Sequence, residues 1–257
     1  MPAAYDNYDY PSYWDSRDYE HGSEMLAIKT LLESIPKAKK AIEIGGGFGR
    51  LVSSYSFRVK KILLTDPSAK LLSHARKENQ NSKKIDFLQS RLENITEKTK
   101  SRNFDLAVMV RVLHHIKDVD AAFKIVHRLL SKNGYFILEY ANKRHIKATM
   151  RHLLCGNITY PMEIHPVDIS SKKSLKQKNL PFINYHPDQM IQKLESSGFE
   201  IVKTLSVSNI RSTFLKRMFP LKFLLDIEKL LQKPLSRVKL GPSIFVLAKK
   251  RIINKNS

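Results

Sequence analysis

With 257 residues, 42% of them hydrophobic, the chain is long enough to bury a sizeable core, which excludes a wholly disordered polypeptide. A single cysteine, Cys155, excludes an internal disulfide and any zinc site built from several cysteines, so a reduced, cytoplasmic setting is the default. The formal charge of +21 is unevenly spread: residues 1–24 hold six acids against Arg17 alone, net −5, which leaves +26 on the remainder.

The N-terminus, MPAAYDNYDYPSYWD, has acids and aromatics where a secretion signal carries Lys and Arg. No later apolar run reaches the roughly 18 to 20 residues of a membrane span, so neither secretion nor membrane insertion is predicted. Residues 1–23 read as an aromatic, acidic lid. In residues 24–34, Leu26, Leu31 and Leu32 fall near a 3.6-residue period, and Pro36 stops the helix. KAIEI is a first strand running into GGGFG; KKILLTD is a second, followed by a helix from Ser68 to Asn79 and a third strand, KIDFLQS. FDLAVMV is a fourth, apolar on both faces as a central parallel strand should be. Asp118 or Asp120 caps a helix whose Phe123, Val126, Leu129 and Leu130 face inward, Asn133–Gly134 ends it, and YFILEYA is the fifth strand. The core so defined covers 24–141. Residues 142–186 break the alternation and are too long for an ordinary connection, which marks them as a cap insertion. At 187–208 the core resumes: Pro187 fits a first helical turn, Met190, Ile191 and Leu194 form the buried stripe, and Gly198 precedes a sixth strand. A second, basic insertion fills 209–241, and PSIFVLAKK supplies the last strand, 242–250. Strands alternating with helices mean an α/β, doubly wound, mostly parallel sheet.

AIEIGGGFGRL, Ala41 to Leu51, is the most informative stretch. A strand ending in a glycine-rich turn that opens a helix presents unpaired backbone N–H groups and the positive end of a helix dipole at the carboxyl edge of the sheet. That arrangement suits a dinucleotide pyrophosphate or the methionine carboxylate of S-adenosylmethionine (SAM). The dinucleotide pattern G-x-G-x-x-G would need glycine at position 50, which is Arg50.

Glu43-x-Gly45-x-Gly47-x-Gly49 instead resembles the first motif of class I SAM-dependent methyltransferases, and the resemblance runs over roughly residues 13–141 with later elements in the expected order. It implies a seven-stranded sheet whose last strand is antiparallel and at the edge. It also implies a SAM site made by Glu43, Gly45, Gly46, Gly47, Gly49, Asp66 and Pro67, with Asp66 accepting the ribose hydroxyls, and by Arg111 after the fourth strand. In FLQSRLENI the acid usual for the adenine amine is replaced by Arg91, so backbone groups of Arg91 and Leu92 are expected to frame the adenine. Glu43 has two readings, ligand contact or ordering of the glycine loop. Tyr13 and Arg17 have two as well, contact with the methionine part of the cofactor or packing of the lid.

Methyl transfer is an in-line displacement that needs alignment and exclusion of water, and a general base only when the nucleophile carries a proton of high pKa. His114 and His115 are the base candidates; the other reading has one packing and one orienting backbone. His145, His152, His165 and His186 lack compact metal spacing, so no metal is expected, and His165 with Tyr160 is placed in a substrate pocket. In residues 214–233, Leu224, Ile227 and Leu231 share one helical face and Lys216, Arg217, Lys222, Lys229 and Lys233 the other, which suits a cap packed on the domain or a peripheral membrane contact. The expected function is methyl transfer to a small-molecule acceptor, lipophilic or sugar-derived. The rivals are an RNA methyltransferase, favoured by charge, and a SAM-binding protein without catalysis.

Overall fold

The computed structural model describes residue 6 and residues 9–99, 103–170 and 181–251; the first part of the expected lid and residues 171–180 of the expected cap lie outside them. The strands are β1 (Ala38–Ile44), β2 (Val59–Asp66), β3 (Ile85–Gln89), β4 (Phe104–Met109), β5 (Leu130–Ala141), the short β6 (Val167–Asp168) and β7 (Ile183–Asn184), β8 (Phe199–Val207) and β9 (Ser243–Lys250). Seven of them form one sheet in the order β3-β2-β1-β4-β5-β9-β8, and β6 pairs only with β7. β1 pairs in parallel with β2 on one side and β4 on the other, so chain order reverses there and a crevice opens at the carboxyl ends of both strands.

Alternation along the strands sends side chains to two cores. Ala107 and Met109 of β4, with Phe136, Leu138 and Tyr140 of β5, pack beneath α5 (Val119–Leu129) and the later helix Pro187–Ser196. Leu106 and Val108, with Ile137 and Phe245, pack beneath α1 (Asp18–Leu32), α2 (Val52–Tyr55) and α3 (Ala69–Glu78). Because β4 is covered on both faces, its residues Leu106–Met109 read as a continuous apolar run. Completing the helices are α4 (Ile95–Lys98), α6 (Ile146–Leu154), α7 (Pro187–Ser196), α8 (Thr213–Met218) and α9 (Leu221–Val238).

Several expectations need correction. The last strand is antiparallel, but β9 lies between β5 and β8, and β8 is the edge. The reason is composition: Ile244 to Ala248 are buried on both faces, whereas β8 exposes Glu200 and Val202, a pattern an edge tolerates. α1 starts at Asp18, inside the expected lid, because Tyr19 and Ser23 are buried and Asp18 and Glu20 favour the positive helix end. Asn133–Gly134 does not end a helix; α5 ends at Leu129, Leu130 already pairs with Phe104, and residues 131–134 bulge out before Tyr135 pairs with Leu106. Between Asn142 and His186 the chain forms α6 and the β6–β7 pair, which hydrophobic periodicity did not reveal because α6 buries none of its residues. In α9 the buried line is Leu224, Glu228, Gln232 and Ser236, with Ile227 and Leu231 only half-buried.

Candidate active site

The glycine loop leaves β1 with Gly45, Gly47 and Gly49 all at positive φ. At Gly45 (φ +68°) an added Cβ would come within 2.3 Å of Val112 Cγ2, so the loop after β4 presses directly on the turn. At Gly47 (φ +56°) the nearest atoms to such a Cβ are Leu71 Cδ1 at 3.7 Å and Tyr10 Cε1 at 3.9 Å, so the backbone there faces room beneath the N-terminal segment. Asp66, at the end of β2, accepts the Gly47 N–H through Oδ2 at 2.9 Å and the Ser68 N–H through Oδ1 at 2.8 Å. Burial lifts its pKa to about 6, the two N–H bonds oppose that, and the Asp6 carboxylate adds to it. Asp6 in turn accepts the Ser68 hydroxyl at 2.6 Å, which brings the start of the N-terminal segment to the tip of β2. Pro67 is half-buried, its carbonyl accepting from Gln89 Nε2.

Glu43 is buried at the end of β1. It is 3% exposed, lies against Gly46, and accepts the Tyr55 hydroxyl at 2.5 Å; burial raises its pKa to about 7. Its contacts are with Gly46 of the glycine loop and Tyr55 of α2. Past β3, the Arg91 side chain is exposed and Leu92 turns into the core.

Arg111 occupies the left-handed region at φ +58°, a conformation that costs a residue with a Cβ about 1–2 kcal/mol. Buried carboxylates hold it there: its N–H donates to Glu139 Oε2 at 2.7 Å and its Nε to Glu24 Oε1 at 2.6 Å. Glu24 also accepts from Arg50 at 2.5 Å. Burial would raise the Glu24 pKa, but Arg111 and Arg50 outweigh it and hold the carboxyl below its ordinary value. The N-terminal segment docks on these cations. Trp14 carries Arg50 at 3.6 Å and Arg111 at 4.8 Å from its ring centre, Tyr10 stacks with Tyr13, and Arg17 lies 4.0 Å over Tyr13. Tyr13 and Arg17 therefore pair with each other, in an aromatic cluster packed on Phe48 and His21.

The turn after β4, Leu113–His115, carries the two base candidates. Their rings lie 3.9 Å apart, and Phe182 covers His114 at 4.4 Å. Burial and the neighbouring His115 push the His114 pKa well below 6.5; burial lowers that of His115, partly offset by a 2.7 Å hydrogen bond between Nδ1 and the Pro181 carbonyl. That bond requires the proton on Nδ1 and makes Nε2 the basic nitrogen. Tyr185 anchors the returning cap by donating to the Leu113 and Ile116 carbonyls at 3.1 and 2.9 Å. His165 is exposed, and its carbonyl accepts from the buried Lys143 at 3.1 Å; Tyr160 is buried under the same lysine. Among the described residues no group of three or more His, Cys, Asp or Glu could hold a metal ion.

These residues fit SAM. The N–H groups of Gly46, Gly47 and Gly49, expected to be unpaired, donate to Thr65, Asp66 and Gly46, so the loop offers steric room at Gly47, and each Asp66 oxygen keeps a lone pair for a hydroxyl after accepting one N–H. Residues 42–138 match the model of a family described as a methyltransferase domain. That match and the order of the sheet support the class I SAM-dependent methyltransferase superfamily. Among the chain's relatives, a ubiquinone biosynthesis O-methyltransferase of Pelagibacter ubique is 27% identical over 164 residues, 57% of this chain and 65% of the relative, so the match spans just under two thirds of that protein. Similar in fold are a SAM-dependent methyltransferase of Thermotoga maritima, a possible histamine N-methyltransferase (TM-score 0.61, 18% identity, 96% of this chain and 98% of that one), and the N-methyltransferase NodS of Bradyrhizobium japonicum with S-adenosylhomocysteine (0.58, 13%, 95% and 94%). Sequence reasoning missed Asp6, Tyr10, Trp14, Glu24, Arg50, Glu139 and Phe182 as neighbours of the candidate site. Arg50 was legible only as a missing glycine; its side chain turns out to join α1 to the lid.

Proposed function

We propose that this methyltransferase moves the methyl group of SAM to a hydroxyl oxygen of a small-molecule acceptor, with His115 as general base. The observation that carries this is the neutral His114–His115 pair at the carboxyl end of β4, its proton fixed on Nδ1 of His115 by the Pro181 carbonyl. The name of the Pelagibacter relative, an O-methyltransferase, supports oxygen as the accepting atom. Bound in the crevice, SAM supplies an electrophilic methyl on a sulfonium. The Gly45–Gly49 backbone and Asp66 hold the cofactor, the Arg91–Leu92 backbone borders its base, and Arg111 with the Tyr10–Arg17 segment closes over it. Nε2 of His115 takes the acceptor's hydroxyl proton as the oxygen–carbon bond forms, and Phe182 with the cap keeps water from the histidines.

Calorimetric titration with SAM, S-adenosylhomocysteine and NAD comes first, and the expected result is binding of the first two only. Hydroxylated acceptors are then compared with their amine analogues for methylated product. Methyl appearing on nitrogen, or no binding of either adenosyl ligand, would overturn the proposal.

A further inference from the structure

β5 and β8 both run antiparallel to β9, so their carboxyl ends lie at the same edge of the sheet as the glycine loop, and both long insertions leave from that edge. The insertions are joined: the Ile146 N–H donates to the Leu240 carbonyl at 2.8 Å and Asn142 Nδ2 to the Lys239 carbonyl at 2.8 Å. Both display large apolar side chains in place of burying them. Leu154, Ile158 and Met162 are 85, 72 and 80% exposed, and Phe214, Met218 and Phe223 are 65, 54 and 47% exposed. Among these lie cations: residues 209–241 hold eight Lys and Arg against Asp226 and Glu228, and Glu228 is buried. Apolar side chains interleaved with basic ones match the interior and the headgroups of an anionic lipid interface.

We propose that this rim seats on the surface of an anionic bilayer, with the edge of the sheet that carries the cofactor crevice turned toward the lipid. The aliphatic character of Leu154, Ile158 and Met162 favours lipid over RNA, whose recognition needs charge and stacking rings. A charge of +21 on each copy opposes burying the rim against a second copy. Among the described residues no helix is long and apolar enough to cross a membrane, so the contact is peripheral. The inference goes beyond methyl transfer and does not depend on it.

The test is co-sedimentation of the full chain with vesicles of phosphatidylcholine and of equal parts phosphatidylcholine and phosphatidylglycerol. Binding is expected to the mixed vesicles only and to weaken with added salt. The combined Phe214→Asp, Met218→Asp, Phe223→Asp variant is expected to partition at least about tenfold more weakly, while SAM titration, performed without vesicles, is unchanged. Should that variant lose SAM binding, Arg211→Glu with Arg217→Glu takes its place and is held to the same tenfold loss. Equal sedimentation of wild type and variants, or binding to neither vesicle, overturns the inference. So does a dimer that the aspartates dissolve, or RNA that displaces the vesicles. A chain that binds vesicles but not SAM overturns the functional proposal alone.

Discussion

Glu43 shows how far one residue's environment can depart from its motif. Its folded pKa of about 7 lies above the ordinary 4.5, so the neutral carboxyl is the form the fold prefers. Stability from this group is full below about pH 4.5 and is lost as pH rises through about 7. Glu43→Gln, which still accepts the Tyr55 hydroxyl, should therefore stabilise the protein by about 1–3 kcal/mol at pH 8 and by nothing near pH 4; urea midpoints at the two pH values check it. For His115 the sign is opposite: a pKa below 6.5 leaves the base neutral at pH 7. Turnover should be flat above the ordinary imidazole range and fall in acid at a pH lower than 6.5, and His115→Gln should cost about 10²–10³ in kcat and remove that acid limb. At Gly47, φ of +56° excludes a β-branched residue. Gly47→Val is expected to abolish SAM binding, and micromolar affinity in calorimetry would contradict the assigned site.

At the scale of elements, α9 is attached by a carboxylate and not by an apolar stripe. Glu228 accepts the Tyr19 hydroxyl from α1 and the Ser208 and Asn209 N–H groups from the end of β8, at 2.5, 2.8 and 3.0 Å. Glu228→Ala would leave those buried donors unpaired and should cost about 2–4 kcal/mol in denaturant unfolding, with Glu228→Gln costing less. Heptad-like spacing in the sequence pointed to Ile227 and Leu231 because periodicity sees apolar residues only; Tyr19 stands 209 positions away, and no local pattern connects the two. The strands were more legible. β1, β2 and β4 each hold a short apolar run, Ala41–Ile42, Ile62–Leu64 and Leu106–Met109, shortly before Gly45, Asp66 and the Arg111 loop, which local composition states directly. Helix α5 was legible in its inward face, yet its end was misplaced because Asn133–Gly134 serves a bulge where Gly134 passes the Phe104 carbonyl.

Across the whole molecule, one sheet is sandwiched between two apolar cores, and the N-terminal segment is tied to it through Arg50, Arg111 and Glu24. The only tryptophan, Trp14, stands at that tie, 8% exposed. Its fluorescence and far-UV circular dichroism should report one coincident urea transition, and an earlier fluorescence transition would mean that the lid detaches before the sheet unfolds. The sequence by itself determined the class of fold, because strand periodicity is a local property, and it indicated the cofactor through the resemblance of Glu43-x-Gly45-x-Gly47-x-Gly49 to the first motif of class I SAM-dependent methyltransferases. Only the tertiary structure decided that β9 runs inside the sheet, that Glu43 meets the Tyr55 hydroxyl, that Arg50 and Arg111 meet Trp14, and that both insertions share one rim. Each of these depends on which distant groups meet, and the meeting is governed by burial and by pairing of charges across the fold, quantities that exist only once the chain has closed on itself.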